Sequence, residues 1–209
     1  MDAGSVWEDT RTFFPLFLSM LEARGVTTAC VVGASDGKFV LPLARRGIQV
    51  VAIERNPLAL DGGPVVLPGN GQATMAGLRQ RLTDERLTDR VTIVEADVLE
   101  LGDLDPAEAV WTSCSWHYSI NHRRPLGDFI AAMRQLCGPG GVFGAEYMMP
   151  VEPRHFTIEH CLSEGVVHGY LPGWPIDWEC YTPPFVEDPH VERLAVHVHR
   201  MGLIIATRP

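Results

Sequence analysis

Residues 29–47, ACVVGASDGKFVLPLARRG, run from an apolar stretch through a turn with two glycines into a helix-like segment. A glycine turn joining strand to helix lets the backbone approach an anionic or electron-rich ligand. The chain repeats this alternation outward from here. VTTACVVG (26–33) is an apolar, partly β-branched strand, and 38–46 is a helix with Phe39, Val40, Leu43 and Ala44 on one face. IQVVAIE (48–54), VTIVEAD (91–97), AVWTSCS (109–115) and GVFGAEYMM (141–149) read as further buried strands. A helix over 126–136 carries Leu126, Phe129, Ile130, Met133 and Leu136 at i, i+3, i+4, i+7 spacing and is stopped by GPGG (138–141). Short apolar strands separated by helices predict a mostly parallel α/β sheet with helices on both faces.

The ends differ from this pattern. Residues 12–24 place Phe14, Phe17, Leu18 and Leu21 at helical spacing, with Pro15 in the first turn, where proline is tolerated. IDWECYTPPF (176–185) and HVHRMGLIIATRP (197–209) read as two strands of an antiparallel pair. Between Glu54 and Val91 the chain is longer than one helix needs, so LDGGPVVLPGNGQ (60–72) is expected to be an inserted loop. No repeat or composition shift marks a linker. The chain is therefore one domain, 1–209, with an N-terminal helical cap over 1–25.

Composition narrows the function classes. The 209 residues, 46% apolar and 21% charged, suit one globular domain. Seventeen basic against 26 acidic residues give a net charge of −9 with no basic run, which argues against nucleic acid. No apolar run approaches a membrane span. MDAGSVWEDTRTFF (1–14) carries acids where a secretory leader would be basic. Five cysteines lack CxxC spacing, which with the leader argument points to reduced thiols and a cytoplasmic location.

Three readings compete for the glycine turn. A phosphate loop needs GxxxxGK followed by Ser or Thr. Here Gly33 and Gly37 are one residue too close, and Phe39 follows Lys38, so this reading fails. A dinucleotide loop, GxGxxG, would want glycines at Ser35 and Lys38; it is weaker, and these residues alone leave it open. A methyl-donor loop for S-adenosylmethionine (SAM) needs no phosphate contact. It asks for a permissive turn, an acid after the second strand for the ribose, and a polar group after the third for adenine. Glu54 and Asp97 stand at those strand ends.

With VVGASDG, VVAIERN, VTIVEADV, VWTSCS and LCGPGGVFGAEY in place, the chain resembles a class I SAM-dependent methyltransferase over almost its whole length. Its C-terminal third resembles the tellurite-resistance and thiopurine-type small-molecule enzymes. The resemblance implies a Rossmann-like seven-stranded sheet with an antiparallel last strand and SAM at the carboxyl ends of the first strands. It assigns Gly33, Ala34, Ser35 and Gly37 to the methionine loop, Glu54 and Arg55 to the ribose, Asp97 and Val98 to adenine, and Cys114 and Ser115 to the sulfonium end. The loop departs from the family in two places. Val31 replaces the usual acid, and Ser35 replaces the middle glycine, which it fits if its φ is negative.

Beside the sulfonium the sequence reads Trp116-His117-Tyr118. His117 is the candidate base and Tyr118 a second catalytic candidate, with Trp116 and Tyr118 as an aromatic wall. Trp7, Phe14, His199 and Arg200 complete a substrate side expected to be rich in aromatics. On a strand, His197 and His199 share a face, so a metal pair with His190 or Asp188 is geometrically possible. No further characteristic spacing supports it, and no metal is assigned. The expected function is methyl transfer from SAM to a small-molecule acceptor. The alternative is a SAM-binding protein of this fold that transfers no methyl, either an auxiliary partner or a cyclase or rearrangement enzyme.

Overall fold

The computed structural model describes residues 5–209; the first four residues of the expected N-terminal cap lie outside them. Seven strands form one sheet: β1 (Thr28–Val32), β2 (Gln49–Glu54), β5 (Val91–Glu95), β6 (Ala107–Ser113), β7 (Cys137–Met148), β8 (Ile176–Tyr181) and β11 (Met201–Thr207). Their order is β5-β2-β1-β6-β7-β11-β8. The first five run parallel, and β11 lies antiparallel to both β7 and β8. This is the expected Rossmann-like sheet with its last strand reversed.

Strand alternation sends successive residues to opposite faces. From β1, Ala29 and Val31 enter one core with α1 (Phe14–Arg24), α2 (Val40–Arg45) and α4 (Leu78–Asp84). Cys30 and Val32 enter the other, against α5 (Leu126–Gln135). In β11, Leu203 and Ile205 face the first core and Ile204 and Ala206 the second. The first core centres on Trp111, whose ring meets those of Phe14, Phe17 and Phe39 at 5.1, 4.6 and 5.8 Å. Phe14 belongs to the buried stripe of α1 with Phe17, Leu18 and Leu21, and burial of such a ring contributes ~1.5–3 kcal/mol. Its expected place on the substrate side is therefore corrected: its packing lies inward.

The stretch 60–72 is not a loop. After α3 (Pro57–Asp61), β3 (Gly62–Leu67) pairs in antiparallel register with β4 (Gly71–Ala76) as a separate two-stranded hairpin. Its turn spans Pro68–Asn70, with Gly69 left-handed at φ +76°. The Pro and Gly residues that suggest a loop sit in the turn and at the strand start, and Val65-Val66-Leu67 between them is a strand former. A second small hairpin, β9 (Phe185–Glu187) with β10 (His197–His199), rises near the end of the chain. Two short 3₁₀ turns, Pro153–Thr157 and Val166–Tyr170, lie between β7 and β8. All five cysteines are free thiols, and burial pushes Cys30 up to about 12. No helix among the described residues is long and apolar enough to cross a membrane.

Candidate functional site

A cavity of about 890 Å³ opens at the carboxyl ends of β1, β2, β5 and β6, roofed by the N-terminal segment and the β9–β10 hairpin. The parallel strands all end on this side, which is where open α/β sheets bind ligands. The volume falls within the range of cofactor and substrate pockets.

At the floor, the Gly33 and Ala34 N–H groups both donate to Ile53 O, so the turn after β1 is clipped to the end of β2. Gly33 (φ +72°) lines the cavity, and a Cβ there would stand 2.8 Å from Ser115 Cβ. Gly37 (φ +96°) points away from it, with room for a Cβ closed by Leu41 Cδ1 at 2.2 Å and Leu78 Cδ1 at 2.7 Å. Gly37 and the fully buried Ala34 thus shape the turn from behind and do not line the cavity. Ser35 lines it with φ +49°, so the expected negative φ is corrected: the serine keeps the left-handed conformation usual for the glycine it replaces.

Glu54 explains how the serine is held. Its Oε2 accepts from Ser35 N at 2.8 Å, and its Oε1 accepts from Arg55 N at 2.9 Å and Asn56 N at 2.8 Å. Three of the roughly four lone-pair positions of the carboxylate are thereby used. Asp97 Oδ2 pairs with Arg55 Nη1 at 2.7 Å, and Oδ1 accepts from Leu99 N. Arg55 also donates to Asn121 Oδ1 at 3.2 Å, while Asn121 Nδ2 donates to Ser115 O. Glu54, Arg55, Asp97, Val98, Cys114 and Ser115 all line the one cavity.

Cys114 adopts φ +48°, the second non-glycine left-handed residue on the cavity wall. Burial holds its thiol protonated, far above its usual range, which removes it as a nucleophile. The turn it makes carries His117 and Tyr118 over the cavity. His117 Nδ1 lies 2.6 Å from Cys114 O. A carbonyl only accepts, so the proton sits on Nδ1 and the lone pair on Nε2. Burial lowers the pKa of His117 to about 4. Tyr118, 39% exposed, donates to Glu192 at 2.7 and 2.9 Å, and partial desolvation together with that carboxylate raises its pKa. Trp116 faces the opposite way: 1% exposed, it packs against Tyr147 at 6.1 Å in the second core. The expected wall of Trp116 with Tyr118 is corrected accordingly.

Residues 5–13 are strapped over the cavity by three anchors. Asp36, fully buried, accepts from Ser5 Oγ (2.7 Å) and Val6 N (2.9 Å). Lys38 Nζ donates to Trp7 O, Thr10 O and Thr10 Oγ1 at 2.7, 2.8 and 2.5 Å. Glu146, fully buried on β7, accepts from Thr12 Oγ1, Phe13 N and Ser113 Oγ, and burial raises its pKa despite those donors. Trp7 lines the cavity and donates from Nε1 to Ser35 Oγ at 3.0 Å. Sequence reasoning missed Lys38 and Glu146 as site-building residues. The chain's sole lysine, two residues before α2, was the available signal.

The hairpin brings Glu187, His197 and His199 to the cavity roof. His197 and Glu187 are direct partners in the β9–β10 register, and His199 lies two residues on, on the same face. Glu187 Oε2 is 2.7 Å from His199 Nδ1 and 3.6 Å from His197 Nε2. The sequence pattern offered His190 or Asp188 as third member, whereas the fold supplies Glu187. Arg200 does not reach the cavity; it donates to Thr182 O and pairs with Glu164.

No family model matches the chain, and no curated protein matches it in sequence. Solved structures share its architecture. TehB from Haemophilus influenzae superposes with a TM-score of 0.68 at 11% identity, covering 93% of this chain and 62% of TehB. The chain thus spans less than two thirds of that relative. The N-methyltransferase NodS from Bradyrhizobium japonicum WM9 gives 0.62 at 12% identity, covering 94% of each chain. The 1,6-didemethyltoxoflavin-N1-methyltransferase of Burkholderia thailandensis, solved with bound 1,6-didemethyltoxoflavin and S-adenosylhomocysteine, gives 0.63 at 16% identity, covering 97% of this chain and 80% of that one. The chain has the Rossmann-like fold of the class I methyltransferases.

Proposed function

We propose that the protein is a SAM-dependent methyltransferase acting on a small-molecule acceptor. The observation that carries this reading is the convergence of Glu54, Asp97 and the left-handed Ser35 turn on one cavity at the strand ends. SAM, when bound, supplies an electrophilic methyl group on a sulfonium. Glu54 has one lone-pair position left for a ribose hydroxyl, and accepting both hydroxyls requires one backbone donor to let go. Asp97, steadied by Arg55, takes the adenine end. The Cys114–Ser115 turn flanks the methyl group.

The work left to the protein is mostly placement, worth up to ~7–11 kcal/mol when the reacting atoms are held in line. His117 is the base of this scheme. Its Nδ1–H bond to Cys114 O fixes the tautomer and leaves the Nε2 lone pair to take the acceptor's proton. The strap, closed by Trp7 and Lys38, keeps water from the reacting atoms. The net charge of −9 favours small acceptors over nucleic acid.

Calorimetric titration with SAM and with S-adenosylhomocysteine tests the reading. One site for each is expected, with S-adenosylhomocysteine released when a panel of small O-, N- and S-nucleophiles is supplied. No binding of either ligand overturns the proposal. Binding without turnover on any acceptor points instead to a SAM-binding protein that transfers no methyl.

A further inference from the structure

We infer that Glu187, His197 and His199 form a binding site for a divalent transition-metal ion of the zinc class in the cavity roof. Their donor atoms, one from each side chain, all lie within 4.8 Å of one another. Tetrahedral sites with metal–ligand bonds of about 2.0–2.2 Å place their ligand atoms roughly 3.3 Å apart. The observed 2.7 and 3.6 Å separations from Glu187 Oε2 straddle that value.

His197 separates this site from an ordinary surface ion pair. Its side chain is 1% exposed, and Nδ1 lies 2.9 Å from Ala195 O. That bond puts the proton on Nδ1 and the lone pair on Nε2, the arrangement of a metal-bound histidine steadied by a backbone carbonyl. Nε2 itself is buried with no hydrogen-bond partner among the described residues and is aimed at Glu187. A Glu187–His199 pair alone accounts for two of the three groups and leaves this buried nitrogen unpartnered, at a cost. His190, whose Nδ1 accepts from Glu192 N, carries its proton on Nε2 and stays outside the ligand set.

Two imidazoles and a carboxylate are the ligand chemistry of catalytic zinc, which keeps a further position for water or substrate. All three residues line the same cavity as Ser35, Cys114 and His117. The ion would therefore bind the acceptor's oxygen, nitrogen or sulfur atom directly and lower its pKa, with the displaced proton passing to His117 or to water. This role rests on the methyl-transfer reading; the metal site does not.

The test is titration of the tag-free, chelator-treated full chain with Co²⁺, followed by its visible ligand-field absorption, with SAM calorimetry on the same preparation. One equivalent is expected to bind at micromolar or tighter affinity, to be displaced by Zn²⁺, and to weaken about tenfold or more in Glu187→Gln and His197→Ala. His168→Ala, which alters an exposed histidine paired with Glu179, should bind as the wild type does. If a variant fails to fold, ring-nitrogen resonances of the wild type decide: those of His197 and His199 must move on metal addition and that of His168 must not. No Co²⁺ uptake below millimolar concentration overturns the site, as do folded variants that bind like the wild type. SAM binding without metal uptake sinks this site and leaves the methyl-transfer reading standing; the reverse result does the opposite.

Discussion

Ser35 and Cys114 hold φ values of +49° and +48° on the cavity wall, a conformation that costs a non-glycine residue about 1 kcal/mol or more. Glu54 offsets this at Ser35 by binding its N–H, together with those of Arg55 and Asn56. Glu54→Gln leaves one acceptor oxygen for three donors. Denaturant titration should show a loss of ~1–3 kcal/mol, and calorimetry a SAM affinity reduced about tenfold. His117 sets a pH signature. The unfolded chain takes up its proton near 6.5, the folded one only near 4, because burial disfavours the imidazolium. Its contribution to stability is complete above pH 6.5 and is lost as pH falls toward 4. His117→Gln should flatten that part of the stability profile, and the acid limb of kcat/KM should lie near pH 4. At this scale the sequence was partly legible. Glu54 and Asp97 could be located because strand register fixes where a strand-ending carboxylate emerges. The backbone sign at Ser35 could not, since a distant carboxylate holds it.

Among the elements, β1, β2, β6 and β7 were readable because burial on both faces leaves continuous apolar runs, and the half-exposed edge strand β5 because Val91, Ile93 and Val94 cluster before Asp97. The β3–β4 hairpin was hidden by its own Pro and Gly content. Among the described residues, none of the hairpin lines the cavity. Replacing residues 64–74 with a two-residue turn should therefore leave SAM affinity within about twofold and the sheet folded, as calorimetry and circular dichroism would report. Phe14 and Trp116 mark the limit of reading aromatics as pocket walls. Phe14 shares a helical stripe with Phe17 and Leu21, and that periodicity already pointed it inward. Trp116 follows a strand with no periodicity to orient it, and its packing in the second core, against Tyr147 on a neighbouring strand, shows which way it faces. Glu187 was missed for a related reason. Its partners lie ten and twelve residues on, across a connection whose length in sequence does not specify the β9–β10 register.

At the scale of the molecule, residues 5–13 and the β9–β10 hairpin, far apart in sequence, meet over the strand ends of one sheet. Lys38 is central to that closure, because its ammonium holds Trp7 and Thr10 in place of water. Lys38→Met should strand those acceptors and release the strap. Hydrogen exchange over residues 6–10 should rise, global stability should fall by ~1–3 kcal/mol, and SAM should bind more weakly.

The strap also sets an order of events during folding. Its ties to Asp36 and Lys38 close loops of about 30 residues, while Thr12 and Phe13 reach Glu146 across 134 and 133. Each doubling of loop length adds about 0.6 kcal/mol of closure entropy, and β7 must exist before Glu146 can receive its donors. On the ribosome, residues 5–13 thus emerge well before β7 and yet are fully seated only after it. A nascent chain stopped before β7 carries a mouth with only its Asp36 and Lys38 fastenings made. In pulse-labelled refolding, the amide of Val6 should gain protection before that of Phe13.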